Sequence, residues 1–173
     1  IDRLVAEGLV DHQSYIIYVN DGSKDRTWQI IADLYKRSPY VCGINLSSNV
    51  GHQNALMAGM EVAEIWAHAI VTIDADLQDD VKVIRDMVVA YHEGKDIVYG
   101  VRKKRETDTW FKRTTALAFY SLMKKMGVKT VYNHADYRLM SYRAVQSLLE
   151  YHERNLFLRG LVPLMGYQTA CVY

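Results

Sequence analysis

Apolar positions along the chain keep two spacings, and these alternate. Tyr15-Ile16-Ile17-Tyr18-Val19 is an aromatic and β-branched run of strand length. Asn20-Asp21-Gly22-Ser23, all turn formers, break it. A helix is predicted from Lys24 to Arg37, with Trp28, Ile31, Leu34 and Tyr35 on one face, and Ser38-Pro39 stops it. Val41 to Leu46 reads as the next strand, Ser47 to Gly51 as a loop, and a helix follows to about Ala67. Ile70-Val71-Thr72-Ile73 is a third strand, running into Asp74. The helix after it, Val81 to Glu93, carries Ile84, Met87, Val88 and Tyr91 at helical spacing, and Gly94 ends it. Asp96 to Val101 is a further strand.

Strands alternating with helices predict an α/β fold: a Rossmann-like, mostly parallel sheet with helices on both faces. In such sheets ligands sit beyond the carboxyl ends of the strands. Asp21, Asn49, Asp74, Asp76 and Arg102 all fall at or just past such ends.

The alternation stops after Arg102. Residues Arg102 to Arg113 hold six basic and two acidic side chains, and a long helix is predicted from Trp110 to Met126. Tyr132 to His134 reads as loop and Ala135 to Met140 as a short strand, with Ser141 capping a helix through Leu149. Leu156, Phe157, Leu158, Leu161 and Val162 form an apolar cluster, helical up to Pro163. Ile1, Leu4, Val5 and Leu9 look like one helix face with nothing before it, and Gln168 to Tyr173 like a strand with nothing after it. The 173 residues therefore read as a single domain, 1–173, cut from a longer protein.

Composition narrows the classes. Half the residues are apolar and 24% are charged, as in ordinary globular domains. A formal net charge of +1 gives no field for nucleic acid. No uninterrupted apolar run is long enough to span a membrane. Cys42 and Cys171, far apart, read as reduced core residues, with a single bridge as the alternative. The six histidines show no ligand spacing.

The chemistry concentrates in Asp74-Ala75-Asp76-Leu77-Gln78-Asp79-Asp80. Side chains two apart on an extended chain point the same way, so Asp74 and Asp76 can face one point. Two converging carboxylates need a positive partner, and Mg²⁺ or Mn²⁺ meets that need while leaving positions for phosphates. The structural alternative is a solvated turn, or a helix N-cap for Asp79 and Asp80.

Four stretches together carry a resemblance: Val19-Asn20-Asp21-Gly22-Ser23-Lys24-Asp25-Arg26-Thr27, Asn49-Val50-Gly51-His52-Gln53-Asn54-Ala55, Asp74-Ala75-Asp76-Leu77-Gln78-Asp79 and Ala135-Asp136-Tyr137-Arg138-Leu139. In this order and spacing the chain resembles family 2 glycosyltransferases of the GT-A fold. It is most similar to the branch that includes dolichyl-phosphate mannosyltransferase and the bacterial undecaprenyl-phosphate sugar transferases. The resemblance implies that Asp21 contacts the nucleotide base, with Ser23 beside it. It implies that Asp74, Asp76 and Gln78 hold the metal, Asp74 and Gln78 also facing the donor. It puts Asp136 and Arg138 at the reacting centre, where Asp136 orients sugar or acceptor or forms a plain ion pair with Arg138. It makes Arg102 and Arg113 the grip on an acceptor phosphate. Lys103, Lys104 and Arg105 are then a solvated loop or a contact to anionic lipid heads. Relatives begin with a strand that contacts the nucleotide; this chain lacks that first strand.

The expected function is inverting transfer of a sugar from a nucleotide-sugar donor, UDP-glucose first, to a polyprenyl phosphate. Mg²⁺ or Mn²⁺ assists, at the cytoplasmic face of a membrane, and oligomeric state is left open. The alternatives are a family 2 transferase with a polysaccharide or soluble acceptor, and a nucleotide- or metal-binding domain without turnover.

Overall fold

The computed structural model describes residues 1–101, 134–151 and 157–173. A short helix α1 (Asp2–Ala6) leads into β1 (Ile16–Asn20), α2 (Thr27–Arg37), β2 (Val41–Asn45), α3 (His52–Ala63), β3 (Ala69–Thr72), α4 (Val83–His92) and β4 (Ile97–Val101). Then follow β5 (His134–Ser141), α5 (Tyr142–Leu149), α6 (Leu158–Leu164) and β6 (Thr169–Val172). No helix among the described residues is long and apolar enough to cross a membrane.

Local chemistry sets several boundaries. The second helix begins at Thr27 rather than Lys24, because the Asp25 carboxylate accepts from both the amide and the hydroxyl of Thr27, at 2.9 and 2.6 Å. Only part of its expected apolar face is covered: Ile31 is buried, whereas Tyr35 is 63% exposed. Ser141 caps α5 as its residue type predicts, accepting from the amide of Ala144. The predicted helix over Trp110–Met126 lies outside the described residues, as do Arg102 and Arg113.

The sheet is mostly parallel, as expected, with one strand reversed: β1 pairs with β2 and β4 with β6 in parallel, but β5 lies between β3 and β4 and runs antiparallel to both. Hydrophobic spacing is blind to strand direction, so the sequence could not reveal this. The reversal matters for function. It brings the first residues of β5 beside the last residues of β3 and β4, with Arg138 opposite both Thr72 and Tyr99.

Among the described residues β1–β2 and β3-β5-β4-β6 are two separate hydrogen-bonded units, and α3 packs on both β1 and β3. Helices cover both faces, as predicted. A Cβ on Gly43 of β2 would strike Ile31 and Trp28 of α2, whereas one on Gly59 of α3 would strike Val19 of β1. Gly43 pairs with Tyr18, the neighbour of Val19, and neighbouring residues face opposite ways. In the larger unit Ile97, Tyr99 and Met140 pack with Met60, Val145, Leu148, Leu158 and Val162. Val98, Tyr137 and Leu139 pack on the other side with Met87 and Val88 of α4. Both cysteines are free thiols, and Cys171 is exposed rather than in the core.

Candidate active site

The carboxyl ends of β1 and β3 and the start of β5 meet at one edge. The β1 end is built by side-chain locks. Asn20 Nδ2 donates to Asn45 Oδ1 at 2.7 Å, tying β1 to β2, and the amide of Ser23 donates to Asn20 Oδ1 at 3.3 Å. Gly22 has φ +64°, a left-handed conformation, and a Cβ there would lie 2.4 Å from the backbone nitrogen of Asn49. The turn therefore needs glycine twice over, for its dihedral and for its contact with the loop after β2. Asp21 completes the lock. Its Oδ1 accepts from the amide of Val50 at 2.7 Å and its Oδ2 from the amide of Gly51 at 3.1 Å. Both carboxylate oxygens are thus engaged by backbone, and each keeps a lone pair for a second donor. Ser23 is exposed at the same turn.

After β3 the acidic stretch turns sharply. Asp76 Oδ1 accepts from the amide of Gln78 at 3.0 Å, and Leu77 between them has φ +60°. Asp74 is half-buried and faces inward, its Oδ1 3.6 Å from His52 Nε2. Asp76 and Gln78 are exposed. No group of three His, Cys, Asp or Glu side chains gathers as a metal cluster among the described residues. Two carboxylates and an amide still suit a hard divalent cation, which keeps several waters and takes its remaining oxygens from a bound phosphate.

Asp136 is the centre of the arrangement. It is 2% exposed, and the Thr72 hydroxyl donates to its backbone carbonyl at 2.5 Å, fixing β5 to the end of β3. Its Oδ1 accepts from Arg138 Nη2 at 2.5 Å. Its Oδ2 accepts from Arg159 Nη2 at 3.2 Å and lies 3.2 Å from His52 Nε2. Burial alone would push the Asp136 carboxyl up, but Arg138, Arg159 and His52 outweigh it and hold it below the usual aspartate range. Arg138 is 1% exposed and also donates to the carbonyl of Leu158 at 3.5 Å. The Arg159 side chain, 47% exposed, and that of His52, 54% exposed, look into solvent from the same carboxylate.

A carboxylate held by three such donors is a poor proton acceptor. The arrangement is an anchor that fixes the orientation of two solvent-facing cationic or hydrogen-bonding groups, Arg159 and His52, next to Asp74. Among the described candidates, Asp74, Asp136 and Arg138 come together, whereas Asp21 and Ser23 form the β1 wall. The sequence reading missed two members. His52 lies inside a quoted motif but was given no role. Arg159 stood in a run otherwise read as an apolar cluster, and a lone arginine between Leu158 and Leu161 was the signal that could have found it.

Residues 11–149 match the family model described as glycosyl transferase family 2. The chain is 55% identical over 170 residues to the uncharacterized glycosyltransferase YkoT of Bacillus subtilis strain 168, covering 98% of this chain and 50% of that protein. It is 38% identical over 165 residues to the bactoprenol glucosyl transferase of Shigella phage SfV, covering 95% of this chain and 53% of the phage protein. The chain thus spans about half the length of the curated relatives it matches. Among solved structures it is similar to TarS residues 1–349 of S. aureus, with a TM-score of 0.63 at 14% identity, covering 98% of this chain and 52% of that one. The same protein in complex with UDP gives a TM-score of 0.55 at 15% identity. At these identities the likeness establishes the GT-A fold alone.

Proposed function

The chain belongs to glycosyltransferase family 2, and on that premise we propose that it transfers a hexose, with inversion, from a nucleotide-sugar donor to a polyprenyl phosphate. Glucose from UDP-glucose is the first donor to test. The similarity to a bactoprenol glucosyl transferase supports the lipid acceptor, and the fold likeness to a protein solved with UDP supports the nucleotide. The observation that carries the reading is the Asp136 carboxylate, held by Arg138, Arg159 and His52 beside Asp74.

A carboxylate held in this way suits one kind of acceptor. An alcohol must lose a proton as it attacks and needs a base, whereas a phosphate monoester is already an anion near neutral pH. In the proposed step an acceptor phosphate oxygen attacks the anomeric carbon, and the bond from that carbon to the nucleotide diphosphate breaks. Asp136 aims Arg159, with His52 beside it, at the anions that meet there, and a fixed cationic donor lowers the cost of bringing them together. Arg102 and Arg113, outside the described residues, would grip the acceptor phosphate. Asp21 would use its free lone pairs on the base, with Ser23 on the same turn. Asp74 and Asp76, with Gln78, would hold a Mg²⁺ or Mn²⁺ ion, which when bound neutralises the leaving diphosphate. The site would work at the cytoplasmic face of a membrane.

The test is transfer of labelled sugar by the full-length protein into washed membranes, followed by lipid extraction. Label in the lipid phase with UDP-glucose and Mn²⁺ is expected. Label only in polysaccharide, or with no common nucleotide sugar at all, would overturn the reading.

A further inference from the structure

Leu77 breaks two rules at once. Its side chain is 94% exposed and its backbone sits at φ +60°, a region that Leu rarely adopts. Asn or Gly would make the same turn without strain, and a polar residue would suit the exposure. Among the described residues no packing covers the side chain.

Its neighbours share the exposure. Val81 is 62% exposed, four residues further along the same turn, and Ile73 is 37% exposed just before Asp74. Val50 is 42% exposed, in the loop whose amides hold Asp21. Phe157 is 53% exposed, two residues before Arg159, with its ring against Gly160. Single exposed apolar side chains need no explanation, but these lie within four residues of Asp21's loop, the acidic turn or Arg159. Each belongs to a segment that builds the site, so together they give the edge of the sheet where it opens an apolar rim.

We infer that this rim, with Leu77 at its tip, is the subsite for the isoprenoid chain of the acceptor, seating the first isoprene units next to the reacting phosphate. The inference rests on the polyprenyl phosphate reading above and deepens it. In that reading the acceptor's phosphate lies beside Arg159 and His52, and the rim is the apolar surface that its hydrocarbon meets on leaving them. A long apolar chain is the occupant that turns an exposed leucine from a penalty into a contact. The relative named as a bactoprenol glucosyl transferase handles an acceptor of this chemistry.

The experiment compares acceptors that share the phosphate and differ in tail. Full-length protein in detergent micelles is given saturating UDP-glucose and Mn²⁺, with geranyl or undecaprenyl phosphate as acceptor. For the wild type, KM is expected to be much lower with the longer chain. Leu77→Asn keeps a residue suited to φ +60°, so the melting temperature and UDP affinity are expected to hold. Its KM for undecaprenyl phosphate should rise about tenfold, the loss expected for one buried leucine side chain, and the difference between the two acceptors should shrink accordingly. Leu77→Met, apolar and flexible, should keep the chain-length dependence. Equal KM changes for both acceptors, or none, would overturn the subsite. So would a Leu77→Asn protein that loses only binding to vesicles, since that describes a lipid-surface contact. A second readout separates this inference from the transfer reading. A benzophenone-bearing isoprenyl phosphate should crosslink to the peptide spanning residues 73–81. Crosslinking there without sugar transfer would leave the subsite standing and remove the reaction; transfer with crosslinking elsewhere would do the reverse.

Discussion

Asp136 Oδ2 and His52 Nε2 stand 3.2 Å apart, joining the start of β5 to the first residue of α3 across 84 positions of sequence. The carboxylate is buried and the imidazole is half in solvent. A contact of that kind orients the exposed partner, and the exposed partner is the one that can touch substrate. His52→Ala should therefore lower sugar transfer about tenfold or more, the range for one lost hydrogen bond to a charged group. Its melting temperature should move little, because an exposed side chain contributes little to the core. A large fall in melting temperature with unchanged transfer would make His52 a structural residue only.

The two arginines on Asp136 should separate cleanly. Arg138 is buried, and replacing it by Met strips the buried carboxylate of its shortest bond. A stability loss of about 3–5 kcal/mol is expected from denaturant unfolding. Arg159→Ala removes a half-exposed partner and should cost less than about 1 kcal/mol. Its transfer rate should fall about a hundredfold, as when one fixed donor to a developing anion is deleted. Matching stability losses in the two variants would refute the division between anchor and anchored group.

Asp76→Asn tests the metal seat. It keeps the bond to the amide of Gln78, since an amide oxygen can still accept it. The loop should hold its shape while metal-dependent UDP affinity is lost. Calorimetry with UDP and Mn²⁺ measures this directly; an unchanged dissociation constant would remove Asp76 from the metal.

Gly22→Ala tests the lock at β1. The new Cβ would lie 2.4 Å from the nitrogen of Asn49, at a φ of +64°. Backbone rather than a flexible side chain is in the way, so the turn and the 48–51 loop must part. A loss of about 1–3 kcal/mol is expected, with weaker UDP binding as Asp21 moves off the amides of Val50 and Gly51. Unfolding titrations alongside UDP calorimetry would show both losses, and tight UDP binding in a destabilised variant would free Asp21 of any nucleotide role.

Two buried carboxylates among the described residues should make stability fall in acid. Arg138, Arg159 and His52, outweighing burial, keep Asp136 below its ordinary value. At the other end of the sheet the Arg143 hydrogen bonds lead the lowering of Asp96, at 2.6 and 2.7 Å, against burial and with help from Ser141. A group depressed in the folded state binds more protons when unfolded. Its contribution is full above the ordinary aspartate value of about 3.9 and drains as pH falls from there through the folded value. Melting temperature should hold from pH 7 to about 5 and drop below about 4, less steeply in Asp96→Asn. An equal acid slope in that variant would take Asp96 out of the account.

Much of the domain is legible from residue order. The strand and helix sequence through Val101 follows from hydrophobic spacing, to within a few residues at each end. The turn at Gly22, the acidic stretch after β3 and the Ser141 cap follow from residue types whose local chemistry admits few alternatives. These interactions span a few residues, so the chain itself carries them.

The site needed more than that. Side-chain period does not record which way a strand runs, and β5 had to reverse for Asp136 to arrive beside Asp74. Residue type alone could not pick His52 from six histidines, or Arg159 from an apolar helix, as partners of one carboxylate. Only the packing of α3 on β3 and of α6 on β5 brought them within 3.2 Å of Asp136. Local spacing determined the elements; burial of one charge among partners distant in sequence, decided by tertiary packing, made them a site.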